Sequence, residues 1–244
     1  MITGIVVALP EELSTLTSKK LTKGNSCFIS NNVLVIHAGT GSTNARRSAE
    51  YLVTQGATKL ISWGCAAALS ELLKPGDLIL ANELTYTENN KNLTLSVNDN
   101  WLQHTKELLS TFKKINTGCL VESKSIVSSS EEKHKIHTAT NAVALDMETI
   151  AIAKIAYKHA LPFLAIRVIA DPVEMNLPLA IGHSLNEHGE VSLSKLMFYL
   201  ARHPTELPGL IKLALHFKAA TKTLKLIAKH LDTVTLFQIE QSVD

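Results

Sequence analysis

Short apolar runs alternate with segments of helical period between residues 4 and 171 of the chain. A run of four to eight apolar residues between turn residues is typical of a strand that is buried on both faces of a sheet. Alternation of such strands with helices favours an α/β fold, a three-layer sandwich around a central mixed, mostly parallel sheet. The predicted strands are Gly4–Leu9, Cys27–Ser30, Val33–Ala38, Lys59–Trp63, Leu78–Ala81, Gly118–Val121 and Phe163–Ala170.

The segments between these strands are predicted to be helices, turns or polar loops. Asn31 and Asn32 predict a tight hairpin turn between the second and third strands. The Asn-rich segment Tyr86–Asn100 is interpreted as a polar excursion on the surface. Predicted helices cover about Ala45–Thr54, Trp101–Phe112, Glu131–Ile136 and Ile150–His159.

The pattern changes after Asp171. Asn176–Gly182 reads as an apolar loop, and Leu207–Leu231 is strongly amphipathic, with apolar residues repeating every three or four positions and a flanking stripe of lysines. Two interpretations stay open: a helix that covers the core or a subunit interface, and a helix that lies on an anionic membrane surface. We predict an α/β core over 1–172 and a helical C-terminal extension over 173–244. The lysines of the stripe are Lys218, Lys222, Lys225 and Lys229.

Composition narrows the class of protein. The chain has 244 residues, 45% of them hydrophobic and 19% charged, which fits one large globular domain. A formal net charge of +2 gives no reason to expect a nucleic-acid partner. The three cysteines form no CxxC pair, so we expect neither zinc nor a disulfide framework, and a cytoplasmic location fits best. No apolar run is long enough for a signal peptide or a membrane span.

The segment Ala144–Asp171 carries the strongest chemical signal. Glu148 lies where a short strand passes into a helix, and Asp171 follows the apolar strand Phe163–Ala170, whose only charge is Arg167. We interpret the segment as a β–α–β unit that brings both carboxylates to one edge of a parallel sheet, where ligands bind in open α/β sheets. Two acids at such an edge predict acid/base chemistry on a small molecule.

Other strand ends carry weaker signals. Glu12 follows the first strand, at a helix start where the helix dipole favours an acid without any catalytic role. The turn Gly39–Asn44 can present backbone N–H groups to an anion or a sugar hydroxyl, but it lacks the third glycine of a dinucleotide site. His134 and His137 lie one helical turn apart with no third ligand, as a surface pair would. We therefore predict no metal and no cofactor.

Several stretches together resemble the nucleoside phosphorylase and methylthioadenosine/S-adenosylhomocysteine nucleosidase superfamily. They are GIVVALPEEL, HAGTGSTNA, ISWGCAAAL, PGDLILANE, ALDMETIAIA and PFLAIRVIAD. The region from DPVEMNLP to ARHPTELPGLIKLALHFKAA is similar to the C-terminal region of the hopanoid-associated phosphorylases. The resemblance implies a nucleoside phosphorylase-like fold and an enzyme that cleaves the N-glycosidic bond of a purine nucleoside. The implied substrate is adenosylhopane, from which adenine would be released in hopanoid biosynthesis.

The resemblance also implies roles for individual residues. Asp171 would protonate the leaving base, Glu12 would activate water, and Glu148 would hold the ribose hydroxyls. The other implied site residues are Met147 at the sugar, Ile126 and Val127 at the base, and Gly39, Gly41 and Cys65 in the pocket of the nucleophile.

Several alternatives stay open. The arginines that bind phosphate in the phosphorylases have no counterpart in ALPEEL or ISWGCAA, which favours water, whereas the hopanoid branch favours phosphate. Methylthioadenosine, S-adenosylhomocysteine or an ordinary purine nucleoside would be alternative substrates. Ala170 replaces the serine that usually precedes the acid, so a nucleoside-binding, membrane-associated scaffold is the non-enzyme alternative. We expect a homo-oligomer in the cytoplasm, with membrane contact through 207–231 as an additional hypothesis.

Overall fold

The computed structural model describes residues 1–88, 91–110, 115–184 and 192–237. The strands are β1 (Ile2–Val7), β2 (Ser26–Ser30), β3 (Val33–His37), β4 (Ala57–Ala68), β5 (Leu78–Glu88), β6 (Lys91–Ser96), β7 (Ile115–Glu122), β8 (Ala144–Asp146) and β9 (Phe163–Asp171). The helices are α1 (Pro10–Leu13), α2 (Ser42–Thr54), α3 (Asp99–Leu108), α4 (Ser130–Thr140), α5 (Thr149–Lys158), α6 (Leu179–His183), α7 (Leu193–Arg202), α8 (Leu207–Ala228) and α9 (Leu231–Leu236).

The strands form one mixed sheet in the order β2-β3-β1-β4-β8-β7-β5-β6, and β9 pairs with both β4 and β5. Five of the nine pairings are parallel, which confirms the mixed, mostly parallel sheet. Successive pairing of β4, β9, β5, β7 and β8 returns to β4. These five strands therefore close into a ring.

Alternate strand residues pack against helices on opposite faces of the sheet. One face is covered by α2 and α5, so that Leu52 and Ile152 pack with Leu60 of β4. On the other face, Trp101 of α3 and Leu224 of α8 pack in a cluster with strand residues such as Trp63. The helix–sheet–helix arrangement confirms the three-layer prediction, and the helical C-terminal region is present as well.

Helix α8 divides into a buried half and an exposed half. Ala220, Leu224 and Ile227 are fully buried against the sheet, so the second half covers the core. Leu207, Ile211 and Leu215, in the first half, are about half exposed, at 48%, 52% and 60%. The four lysines of the predicted stripe are exposed, as the amphipathic pattern indicated. Within the described ranges, no helix is both long and apolar enough to cross a bilayer. The division of domains at residue 172 stays a prediction.

Three predictions about local structure were wrong or incomplete. The segment Tyr86–Asn100 lies at the surface, as predicted, but it contains the edge strand β6, which pairs with β5 in an antiparallel hairpin in which Leu95 faces Leu84. Because the segment is rich in asparagine, the alternation of apolar residues that is typical of a strand was not recognised in the sequence. The predicted loop Asn176–Gly182 contains α6. Helix α3 begins at Asp99, two residues before the predicted start, and it ends at Leu108; the predicted end at Phe112 lies outside the described residues.

The direction of β8 corrects the predicted β–α–β unit. Strand β8 pairs antiparallel with β4, whereas β9 pairs parallel with it, so β8 and β9 run in opposite directions. The inference of two parallel strands was therefore wrong. The carboxylates of Asp146 and Glu148 still lie near Arg167 of β9, because β8 ends beside β4, with which β9 also pairs.

Candidate active site

Arg167 lies fully buried in the middle of β9. Its Nε is 2.6 Å from Oδ2 of Asp146, and its Nη2 donates hydrogen bonds to Ser62 Oγ at 2.7 Å and to Thr149 Oγ1 at 2.9 Å. A buried guanidinium is tolerated only when it is paired and its donors are satisfied. Arg167 is the single charge of an apolar strand, and its partner was not predicted from the sequence. The charge itself indicated that a buried anion must lie nearby, because a buried guanidinium requires one.

Asp146 connects this cation to the start of α5. Its Oδ1 accepts hydrogen bonds from the backbone N–H groups of Glu148, at 3.0 Å, and of Thr149, at 2.9 Å. The hydroxyl of Thr149 donates to Oδ2. These bonds satisfy N–H groups that a helix leaves unpaired at its first turn. Asp146 therefore fixes both the guanidinium of Arg167 and the position of Glu148.

Glu12 is a buried carboxylate held by backbone groups. Its Oε2 accepts from the N–H of Leu9 at 3.1 Å, and its Oε1 accepts from the N–H of Cys65 at 2.7 Å. Burial raises the pKa of Glu12, while Arg167 and the backbone hydrogen bonds oppose that rise. The bond to Leu9 is the helix-start contact expected from the sequence. The hydrogen bond from Cys65 connects Glu12 to β4 and was not expected from the sequence.

Gly64 allows Glu12 and Arg167 to approach the same point of β4. A Cβ atom at this position would lie 2.5 Å from Nη1 of Arg167 and 2.6 Å from Oε1 of Glu12. Both distances are shorter than any real contact of a Cβ atom. A side chain is therefore excluded at position 64, and the carboxylate and the guanidinium lie over the bare backbone.

Glu148 is buried and faces the glycine-rich turn before α2. Its Oε1 accepts from the N–H of Gly41 at 2.7 Å, and Gly41 has the positive φ of 91° that glycine adopts without strain. Burial and the nearby Asp146 raise the pKa of Glu148 to about 7, against the lowering effects of Arg167 and of the Gly41 N–H. The backbone donor that was expected to face an anion is thus bound to a carboxylate.

Asp171, at the end of β9, belongs to a second group of charges. Its Oδ2 lies 2.7 Å from Nζ of Lys133, whose side chain is 0% exposed. Its Oδ1 is buried and has no hydrogen-bond partner among the described residues. Burial raises the pKa of Asp171, and Lys133 opposes the rise. Lys133 was not predicted as part of the site, because a lysine in a short polar helix has the pattern of a surface residue.

Strand β4 links the two groups of charges. In its register Gly64 pairs with Arg167, and Ala67 pairs with Asp171. Three residues of a strand span about 10 Å. Glu12, Glu148 and Arg167 thus lie near one end of this stretch and Asp171 near the other. A small molecule lying along β4 would contact both groups.

The remaining residues implied by the resemblance lie around this stretch. Cys65 is half-buried, and burial and the Glu12 carboxylate raise the pKa of its thiol well above the usual value. Val127 is buried in a small apolar cluster with Leu145, whereas Ile126 is 37% exposed. The others are Met147, partly exposed at the start of α5, and Gly39, which lies beside the Lys23 side chain.

The described residues contain no group of three His, Cys, Asp or Glu side chains that could hold a metal ion. His137, one of the two histidines noted in the sequence, bonds through Nδ1 to the carbonyl oxygen of Ala142 at 2.7 Å. That contact lies at the C-terminal end of α4.

Comparison with known sequences places the chain in a family. A model of the phosphorylase superfamily matches residues 3–191. The 5'-methylthioadenosine/S-adenosylhomocysteine nucleosidase of Baumannia cicadellinicola subsp. Homalodisca coagulata is 30% identical over 199 residues, which cover 70% of this chain and 86% of that protein. The enzyme of the same name from Staphylococcus epidermidis is 27% identical over 196 residues, covering 69% of this chain and 85% of the relative.

Solved structures share the fold. Futalosine hydrolase of Helicobacter pylori superposes with a TM-score of 0.71 at 16% identity, covering 95% of this chain and 97% of the other. The 5'-methylthioadenosine/S-adenosylhomocysteine nucleosidase from Neisseria meningitidis, in complex with methylthio-immucillin-A, superposes with a TM-score of 0.71 at 18% identity, covering 95% and 99%. From the family match and the 30% identical relative together, the chain belongs to the phosphorylase superfamily and is an enzyme that cleaves an N-glycosidic bond.

Proposed function

We propose that this enzyme hydrolyses the N-glycosidic bond of a purine nucleoside, with water as the nucleophile. The observation that carries the proposal is the position of Glu12, whose two oxygens are held by the N–H groups of Leu9 and Cys65. A buried carboxylate fixed in this way can accept a proton from a water molecule that attacks the ribose.

The charges around Arg167 argue against phosphate. Three buried carboxylates, those of Glu12, Asp146 and Glu148, act on this one guanidinium. Two backbone donors, the N–H groups of Gly41 and Cys65, are already bound to Glu148 and Glu12. A phosphate anion would meet repulsion there and would have to displace a carboxylate. Neutral water meets neither obstacle. The other arginines within the described ranges, Arg46, Arg47 and Arg202, are exposed.

The proposed reaction uses the two groups of charges on opposite sides of the substrate. Cleavage builds positive charge on the sugar, as in glycoside hydrolysis. The water gives its proton to Glu12 and its oxygen to the ribose carbon, the C–N bond pair moves into the base, and Asp171 protonates the base. Glu148 accepts hydrogen bonds from the ribose hydroxyls. A positioned acid of this kind contributes about 10²–10⁴-fold to the rate.

We further propose that the substrate is an adenine nucleoside with an apolar group on the ribose, adenosylhopane in particular. A cavity of about 480 Å³ lies between the loop that follows Asp171 and the start of α8. Leu177, Pro178 and Leu179 line it, and the exposed Leu207 is adjacent to its lining residue Glu206. The apolar side of the cavity suits an apolar substituent, while its other lining residues include the polar Ser128, Ser129, Asn176, Thr205 and Glu206. The printed names of the curated relatives favour methylthioadenosine or S-adenosylhomocysteine as the second candidate substrate.

Turnover of adenosylhopane, methylthioadenosine and inosine, each with and without phosphate, tests these proposals. We expect release of the base without phosphate, and a sugar product that carries a hydroxyl rather than a phosphate at the anomeric carbon: ribosylhopane from adenosylhopane, methylthioribose from methylthioadenosine and ribose from inosine. A strict requirement for phosphate would overturn the hydrolytic mechanism. Faster turnover of methylthioadenosine than of adenosylhopane would favour the second candidate.

We also propose that the first half of α8 contacts an anionic membrane at its cytoplasmic face. Ile211 and Leu215 are exposed, and Lys218 and Lys222 continue along the same side of the helix. Apolar residues followed by cations suit an anionic bilayer surface. Flotation with anionic vesicles should weaken when Ile211 and Leu215 are both replaced by serine. Leu72→Ser is the matched control, because Leu72 is 78% exposed in a different part of the fold.

We retain a cytoplasmic location and a homo-oligomer as parts of the proposal. The three cysteines are all free thiols, which fits a reducing compartment. Sedimentation velocity of the purified chain tests the homo-oligomer, since a single monomeric species at micromolar concentration would contradict it.

A further inference from the structure

Lys133 lies on α4, a helix whose other charged residues face solvent, yet its side chain is fully buried. The ammonium group has three N–H donors. They are directed at Asp171 Oδ2 at 2.7 Å, at the carbonyl oxygen of Pro172 at 3.0 Å and at that of Met175 at 2.9 Å. A buried ammonium is stable only when it is satisfied in this way. Lys133 is therefore fixed, with no donor left for a further partner.

The contact makes the two oxygens of Asp171 different. Oδ2 faces a group that can only donate hydrogen bonds, so a proton on the carboxyl group is excluded from that oxygen. Oδ1 is buried and has no hydrogen-bond partner among the described residues. Ala170, the preceding residue, has no polar atom in its side chain that could orient the carboxyl group. The orientation of the acid is thus set by the lysine.

We propose that Lys133 is a positioning residue of the reaction, which holds Asp171 through Oδ2 and reserves Oδ1 for proton transfer to the leaving base. The inference rests on the proposed function. When the C–N bond breaks, its electron pair enters the base and the proton on Oδ1 moves to the base. Asp171 is left as a carboxylate paired with the Lys133 ammonium. The proton that Glu12 takes from water returns through solvent to Asp171, which balances the cycle.

The same lysine also joins the two loops that would enclose the base. Its bonds to Pro172 and Met175 fix the turn after β9. That turn continues to Leu177, whose N–H donates to the carbonyl oxygen of Ser128 at 2.7 Å. Ser128 follows Val127, which is buried beside the start of α4. Lys133 thus keeps the acid and the loop of Val127 in one rigid unit.

Two substrates separate a positioning role from a purely structural one. A purine leaves only after protonation, whereas the nitrophenolate of 4-nitrophenyl β-D-ribofuranoside leaves without a proton. We expect Lys133→Met to lower kcat for the purine nucleoside roughly 100-fold. Turnover of the nitrophenyl riboside should stay within about threefold, because it needs no general acid. Equal losses on both substrates would overturn the inference while leaving the proposed function intact. If the unmodified enzyme released no purine, the proposed function itself would fail.

Two controls cover effects on folding. Lys135→Met removes an exposed lysine of the same helix and should change neither rate. Lys59→Met removes another buried lysine, which binds the carbonyl oxygens of Thr235 and Phe237. Any loss that it causes should be the same for both substrates.

A double-mutant cycle gives a second measurement that needs only the purine substrate. Asp171→Asn alone should lower kcat roughly 100-fold. If Lys133 acts through Asp171, adding Lys133→Met to that variant should cause little further loss, because coupled residues are not additive. The double variant removes both buried charges together, so it keeps the interior neutral even if Lys133→Met alone fails to fold. A further independent loss of about 100-fold would overturn the inference.

Discussion

Asp146, at the end of β8, and Arg167, in the middle of β9, form a buried ion pair with 2.6 Å between Oδ2 and Nε. The other oxygen of Asp146 binds the first N–H groups of α5 and so positions Glu148. The guanidinium lies over Gly64, beside Glu12. One ion pair therefore sets the geometry of both carboxylates that would contact the ribose and the water. The site is arranged around a cation that does not itself need to touch the substrate.

Asp146→Asn tests this arrangement. The substitution leaves a guanidinium buried without its closest anion, so we expect the free energy of unfolding to fall by about 3–5 kcal/mol. Activity should fall as well, because the amide nitrogen of asparagine cannot accept a hydrogen bond from Nε of Arg167, even though its amide oxygen can still accept from the N–H groups of Glu148 and Thr149. Urea denaturation at pH 7 measures the first effect. Glu131→Gln, which removes an exposed ion pair with Lys135, is the control and should cost less than about 1 kcal/mol. A loss of similar size in both variants would contradict the central role of the pair.

Glu12→Gln tests the proposed base. Glutamine can still accept the hydrogen bond from Cys65 through its amide oxygen, so the fold should be kept, but it cannot take a proton from water. We expect kcat to fall by about 10²–10⁴-fold with little change in KM. Adenine release from the nucleoside substrate measures it. The neighbouring Glu11→Gln is the matched control, because Glu11 is exposed, and it should keep full activity. Unchanged turnover of the Glu12→Gln variant would remove Glu12 from the mechanism.

Most of the strands, though not β6, and the carboxylates at strand ends could be predicted from local patterns. Glu12, Glu148 and Asp171 each follow a clear apolar run, and the short distance in sequence between run and acid fixes where the acid lies. The direction of β8 could not be predicted in this way. Three residues carry no information about direction, which depends on the pairing of Leu145 with Ala67, far away in the sequence.

The partners of the carboxylates could not be predicted for a different reason. Whether a lysine on a polar helix points to solvent or to the core depends on what packs against the helix. Lys133 is buried only because the turn after β9 offers it two carbonyl oxygens. Likewise, the glycine-rich turn was expected to face an anion or a sugar hydroxyl of a ligand, but its Gly41 N–H donates to the side chain of Glu148.

Gly64→Ala tests the close approach of Glu12 and Arg167. The new methyl group would lie 2.5 Å from Nη1 of Arg167, which cannot move away because Asp146 holds the same guanidinium. We expect kcat/KM to fall at least about tenfold and the free energy of unfolding to fall by about 1–3 kcal/mol, as in other overpacked sites. Gly182→Ala is the control, since no described atom lies within 4 Å of a Cβ there. Equal activity of the two variants would show that the space over Gly64 is not needed.

Glu148→Gln should stabilise the protein in a manner that depends on pH. The pKa of Glu148 is raised from 4.5 to about 7 in the folded protein. Between these two values the folded state binds more protons than the unfolded state, so this carboxyl makes the free energy of unfolding fall as pH rises. Glutamine keeps the hydrogen bond from Gly41 without the buried charge. We therefore expect the variant to gain little at pH 4.5 and about 1–3 kcal/mol over the unmodified enzyme at pH 8, while losing activity. Glu174→Gln is a control whose effect on stability should change with pH in the opposite direction, because Lys74 lowers the pKa of that exposed carboxyl. Urea denaturation from pH 4.5 to 8 measures the difference in the free energy of unfolding between the variant and the unmodified enzyme. A gain that does not grow with pH would mean that folding does not raise the pKa of Glu148.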